Sequence, residues 1–193
     1  MNLFALCVAA LTALYGLVTL LKQKMPLFYQ IVVFGSWCYL LTVLYRVLYA
    51  TFIPTPAFHA GYLAYAGTFF FLLSAYFSGS GKAVGSKSAG VRIAVLPPLV
   101  ILVWGIRNIF QGYGFLPQLL LVPVLLTAYF SCKGLFEKEL SAMVPYNSVV
   151  LALCLLQPMM LVAMLTRQHT AIPIFLTSVL SCVSVPLAYR GSK

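Results

Sequence analysis

Residues 3–21 read LFALCVAALTALYGLVTLL, a stretch without a charge, and Lys22 and Lys24 follow it directly. A helix needs roughly 20 apolar residues to cross the hydrocarbon of a bilayer, so this stretch predicts a transmembrane helix. A cleaved export signal carries its positive charge ahead of the apolar run. Here the order is reversed, which predicts an uncleaved first helix with the N-terminus outside.

Six further apolar runs follow, at 28–50, 61–77, 93–110, 118–134, 148–166 and 172–189. Each is continuous rather than alternating, so strands are not expected. The sequence therefore predicts an all-α membrane protein. It reads as a single polytopic bundle of about seven short transmembrane helices over residues 1–193. Pro97 and Pro98 are expected to kink the fourth run. Gln157-Pro158 is expected to mark a kink and a polar interhelical contact in the sixth. Between runs lie a proline-containing connection at 51–59 and a Gly/Ser/Lys loop at 78–92. The segment 135–147 holds both acids of the chain, Glu137 and Glu139. These are expected in a solvated turn or a short interfacial helix.

Composition excludes a separate soluble domain. Of 193 residues, 63% are hydrophobic and 7% charged, with mean hydropathy +1.03. Soluble domains carry about 25% charged residues. Twelve Lys and Arg against two acids give a net charge of +10. In a soluble protein that excess would point to nucleic acid. Here the bases flank apolar runs, where anionic lipid and membrane topology account for them, and no nucleic-acid partner is expected. With seven spans, Lys22, Lys24, Lys82, Lys87, Arg92, Lys133, Lys138, Arg190 and Lys193 share one side. Arg46, Arg107 and Arg167 fall toward the other. This bias predicts a cytoplasmic C-terminus in the plasma or cytoplasmic membrane; six spans would break it.

The five cysteines, Cys7, Cys38, Cys132, Cys154 and Cys182, lie in or beside apolar runs and form no C-x-x-C pair. Neither a zinc site nor structural disulfides are expected. His59 and His169 sit in connections without a second ligand close in sequence, so no metal or haem cofactor is expected.

A faint repeat runs through the chain. Ala75-Tyr76-Phe77-Ser78 recurs as Ala128-Tyr129-Phe130-Ser131, and Ala188-Tyr189 closes the last run. The pattern fits one helix followed by three similar hairpins. Hairpins of equal length would space their end residues in the same way.

The three outer arginines carry the functional expectation. Arginine inside a bilayer costs about 2.5–3.5 kcal/mol at the helix centre and less near the ends. Ser36, Tyr39, Thr42, Arg46 and Tyr49 share one helical face, as do Trp104, Arg107 and Gln111, and Gln157, Met160, Met164 and Arg167. Tyr62 and Tyr65 lie at similar depth in the third run. The expected site is an outward-facing cavity lined by Arg46, Arg107, Arg167, Tyr39, Thr42, Tyr49, Tyr62, Trp104, Gln157 and Met164. It would hold an amphipathic anion such as a lipid headgroup, an aromatic acid or a phosphorylated isoprenoid, because guanidinium pairs with carboxylate and phosphate. The competing account is ordinary: arginine near a helix end snorkels to lipid phosphate, and Tyr and Trp form the interfacial belt.

No Ser-His-Asp, H-E-x-x-H or paired-carboxylate arrangement is present, which disfavours an enzyme acting on a lipid-like substrate. No span carries a carboxylate in its apolar core, which weakens proton-coupled transport. What remains is a non-catalytic transport or sensing subunit, or alternatively a structural subunit of a membrane complex. Ala5, Ala9 and Ala13 form a small-residue stripe on the first helix, suited to close packing with another helix, a partner subunit included.

Overall fold

Every regular element among the described residues is helical. The computed structural model describes residues 2–51, 60–79, 90–113, 115–137, 142–166 and 171–192. In chain order they form α1 (Asn2–Lys22), α2 (Leu27–Thr51), α3 (Ala60–Gly79), α4 (Gly90–Ile93), α5 (Leu96–Phe110), α6 (Phe115–Leu119), α7 (Val122–Leu135), α8 (Val144–Thr166) and α9 (Ala171–Gly191). Seven of these have 14 or more residues, one for each apolar run. Four of them, α1, α2, α8 and α9, are long and apolar enough to cross a membrane.

The fourth and fifth runs are not single kinked helices. A turn at 94–95 separates α4 from α5, and Pro97 and Pro98 fall in the first turn of α5. Proline lacks an N–H and its φ is preset for a helix, so it begins a helix more readily than it bends one. Pro123 acts likewise in the first turn of α7 and sets α6 apart. Pro158 and Pro186 instead lie inside α8 and α9, which run on past them.

Packing follows a ring. α2 lies on α3, α3 on α7, α7 on α8, α8 on α9, and α9 back on α2. α1 packs against α2 and α9, and α5 against α7 and α8. Long helices consecutive in the chain run antiparallel, whereas the packed pairs α3–α7, α1–α9 and α5–α8 run parallel. Tyr76 near the end of α3 reaches Asn147 near the start of α8, and Tyr189 near the end of α9 reaches Gln23 just after α1. The ends of α2, α5 and α8 thus form one rim, here the Arg46 end. The ends of α1, α3, α7 and α9 form the other, the Lys133 end.

The exterior of this fold is apolar, unlike that of a water-soluble domain. α5 exposes Leu99, Val100, Leu102, Val103, Ile106 and Phe110 around a buried strip of Ile101, Gly105 and Asn108. α1 exposes Leu3, Leu11, Leu14 and Leu21. Soluble monomers rarely expose apolar patches beyond a few hundred Å². Inside, Thr127, Ser131, Asn147, Gln157 and Ser178 are at most 1% exposed. Many buried hydroxyls are satisfied by their own helix. Thr42 donates to Cys38 O at 3.0 Å, Thr127 to Pro123 O at 2.7 Å and Ser178 to Ile174 O at 2.8 Å. Such back-bonding removes the cost of a hydroxyl away from water.

Ala5, Ala9 and Ala13 are buried within the chain, on the side of α1 turned to α2 and α9. Gly16 continues the stripe, and a Cβ there would lie 2.9 Å from both methyls of Val33. The stripe therefore packs within the chain, and the face α1 turns outward carries the leucines. The two Ala-Tyr-Phe-Ser segments meet side by side, with Phe77 and Phe130 at 5.1 Å and Tyr76 and Phe130 at 6.3 Å between ring centroids.

Candidate functional site

The inward face of α2 brings together several of the expected residues. Tyr39 is buried, and its hydroxyl lies 3.1 Å from that of Ser178 on α9. Ser181, one turn further along α9, is also within hydrogen-bonding reach of Tyr39. Thr42 is buried with its hydroxyl turned back onto its own helix. One turn further, half-buried Arg46 lies within electrostatic reach of Tyr39 and of Tyr65 on α3. Tyr49, half-buried, stacks on Tyr45 at 6.2 Å. Tyr62 is buried in the first turn of α3.

Tyr65 completes the cluster. It is 2% exposed, packs edge-on against Phe69 at 5.7 Å, and its hydroxyl has no hydrogen-bond partner. It interacts electrostatically with Tyr39, Cys154 and Arg46. Cys154 belongs to the inward stripe of α8, where Val150, Cys154, Gln157 and Leu161 are all enclosed. The Gln157 amide nitrogen donates to Leu153 O at 2.8 Å, while its side-chain oxygen accepts nothing. An enclosed polar atom without a partner costs about 1–3 kcal/mol and in hydrocarbon more. The interior near Arg46 thus holds a guanidinium, an unused phenolic donor and, one turn along α8 from Cys154, an unused amide acceptor.

The remaining expected residues are not gathered here. α5 stands outside the ring, with Trp104 half-buried and Arg107 exposed on its outer side. The residue α5 turns inward at that level is Asn108, whose amide nitrogen donates to Gln118 at 3.4 Å. Arg167, His59, His169, Glu139 and the side chain of Met164 lie outside the described residues.

A second polar group occupies the Lys133 end, and sequence reasoning missed it. Tyr76 donates to Asn147 Oδ1 at 2.8 Å and is within hydrogen-bonding reach of Ser131. Tyr146 is enclosed, with an unpartnered hydroxyl. Lys133, expected at the water-facing end of its run, is 3% exposed. Glu137, expected in a solvated turn, has a side chain 9% exposed and lies 3.9 Å from the Lys133 ammonium. Lysine at a run's end is usually a topology charge; no periodicity marks one turned inward. The i,i+4 spacing of the two residues was the available signal.

Comparison with protein families, curated proteins and solved structures finds no match for this chain.

Proposed function

We propose that this chain is a seven-span membrane protein, N-terminus outside and C-terminus cytoplasmic. It binds an amphipathic anion from the Arg46 end, as the ligand-capturing subunit of a transport or sensing system. The reading is supported by the apolar exterior and by the charge bias along the sequence. The observation that carries the site is the enclosed, unpartnered hydroxyl of Tyr65 beside Arg46 and Tyr39.

A carboxylate or phosphate there would accept from the guanidinium and from the phenol. Gln157 Oε1 would accept from a hydroxyl or amide on the same ligand. An apolar tail would lie along Phe69, Met160 and Leu161, all buried.

The test is thermal unfolding of the purified chain in detergent against a panel of fatty acids, aromatic acids and isoprenoid phosphates. A ligand of the native state stabilises by RT ln(1 + [L]/Kd), about 2.7 kcal/mol at 100 Kd. At least one anion is expected to raise the melting temperature. Arg46→Ala and Tyr65→Phe are each expected to remove that gain, and Arg107→Ala to leave it. Absence of any stabilising anion, or an unchanged response in the Arg46→Ala/Tyr65→Phe double variant, overturns the proposal.

A further inference from the structure

Where α5 gives way to α6, two buried amides meet incompletely. The Asn108 amide nitrogen donates to Gln118 Oε1 at 3.4 Å, beyond the roughly 2.7–3.2 Å of a well-made N–H···O bond. The other half of the pair is not made: Asn108 Oδ1 accepts nothing and Gln118 Nε2 donates nothing. Both residues are enclosed, Asn108 at 1% and Gln118 at 7% exposed. Two amides that lie edge to edge can form two hydrogen bonds. This pair forms one long bond and leaves a buried acceptor and a buried donor on adjoining side chains, each an uncompensated desolvation.

The two amides stand on elements of unequal firmness. Asn108 belongs to the inward strip of α5 with Ile101 and Gly105. Close packing sets its level, because a Cβ at Gly105 would lie 3.2 Å from Leu121 Cδ1. Gln118 belongs to the five-residue α6, reached through a turn at Gly112, whose φ of +84° favours glycine. So short a helix has little stability of its own, and it leans on α5. Phe110 and Phe115, which bound that turn, are 86% and 64% exposed, so the surface beside the amides is apolar.

We propose that Asn108 and Gln118 form a binding site for an uncharged primary amide with an apolar body. The ligand N–H donates to Asn108 Oδ1, and its carbonyl accepts from Gln118 Nε2. Both orphaned atoms are then used, and the 3.4 Å contact is the one bond put at stake. A carboxylate would bring acceptors only and leave Asn108 Oδ1 facing another acceptor. The site therefore differs in chemistry from the anion site at Arg46 and does not depend on it. A primary amide reaches it either as the headgroup of a fatty amide in the bilayer or as a small soluble amide.

The experiment is thermal unfolding of the full chain in detergent with benzamide, with dodecanamide, and with the N,N-dimethyl derivative of each, which keeps the carbonyl and lacks the N–H. At least one primary amide is expected to raise the melting temperature by about 3 °C at ten times its Kd. Its dimethyl derivative is expected to bind about tenfold more weakly. Asn108→Leu and Gln118→Met are each expected to weaken binding about tenfold as well. Arg46→Ala/Tyr65→Phe is expected to bind the amide as wild type does, so failure of the anion site leaves this one standing. A response to dodecanamide alone assigns the site to a bilayer-borne amide, and a response that includes benzamide assigns it to small soluble amides. The proposal is overturned if neither primary amide stabilises the chain, if the dimethyl derivatives bind as tightly as their parents, or if Asn108→Leu/Gln118→Met keeps the response. Should these variants not fold, the comparison of each amide with its dimethyl derivative on wild type decides alone.

Discussion

The hydroxyl of Tyr76 donates to the side-chain oxygen of Asn147 at 2.8 Å, joining α3 to α8 across 71 residues of chain. Both residues are buried. Tyr76→Phe leaves the Asn147 oxygen without that donor, a loss of about 1–3 kcal/mol. Removing both partners as Tyr76→Phe/Asn147→Leu is expected to recover part of it, because a matched apolar pair needs no hydrogen bond. A double-mutant cycle on unfolding in detergent measures the coupling, and simple additivity would show the contact to be inert.

Lys133 and Glu137 call for the same logic with charge. Glu137→Ala removes the carboxylate that faces the enclosed Lys133 ammonium at 3.9 Å, which is expected to cost up to about 3–5 kcal/mol. Lys133→Met/Glu137→Leu is expected to stay within about 1 kcal/mol of wild type, since apolar replacement of a buried pair is often neutral. Thermal unfolding of the three proteins checks this. A Glu137→Ala variant as stable as wild type would mean that the ammonium is compensated without Glu137.

The helical class and the seven longer helices were legible because a continuous apolar run has one solution in hydrocarbon: a helix that satisfies its own backbone. The proline effects were half legible. Pro97, Pro98 and Pro123 mark starts rather than kinks, a distinction set by where the preceding turn falls. The inward face of α2 was legible from its spacing, since Tyr39, Thr42 and Arg46 recur every three or four residues. The face of α5 was not. Arg107 and Asn108 are adjacent, and the ring accepts the uncharged amide while the guanidinium faces outward. Tyr65 became decisive only through its neighbours on α2 and α8, which sequence spacing on α3 alone cannot supply.

The unused hydroxyl of Tyr65 makes stability and binding move in opposite directions. Tyr65→Phe removes an enclosed polar group that has no partner in the unliganded chain. The ligand-free variant is expected to be as stable as wild type, or more stable by about 1–3 kcal/mol, while losing the gain from an anionic amphiphile. A residue of purely structural value would lose stability without ligand. Unfolding scans with and without the stabilising anion separate the two cases.

The outward leucines test which solvent the bundle inhabits. Leu11 lies mid-way along α1 and is 66% exposed; Val103 lies mid-way along α5 and is 58% exposed. On a water-facing surface, Leu11→Lys would change stability by no more than about 0.5 kcal/mol. In a bilayer, a lysine at the centre of a helix costs about 2.5–3.5 kcal/mol. Leu11→Lys is therefore expected to reduce the fraction of the chain that resists alkaline extraction from membranes. α5 is the sharper case. Its 15 residues rise about 22 Å, against a hydrocarbon core of about 30 Å, so it spans only by drawing the bilayer thin around it. If α5 crosses, Val103→Lys impairs insertion as Leu11→Lys does, and reporters fused after Phe110 lie on the opposite side from reporters fused within 80–89. If Val103→Lys inserts like wild type and the two reporters share a side, α5 lies along the interface, and the topology drops to an even number of spans with both termini on one face.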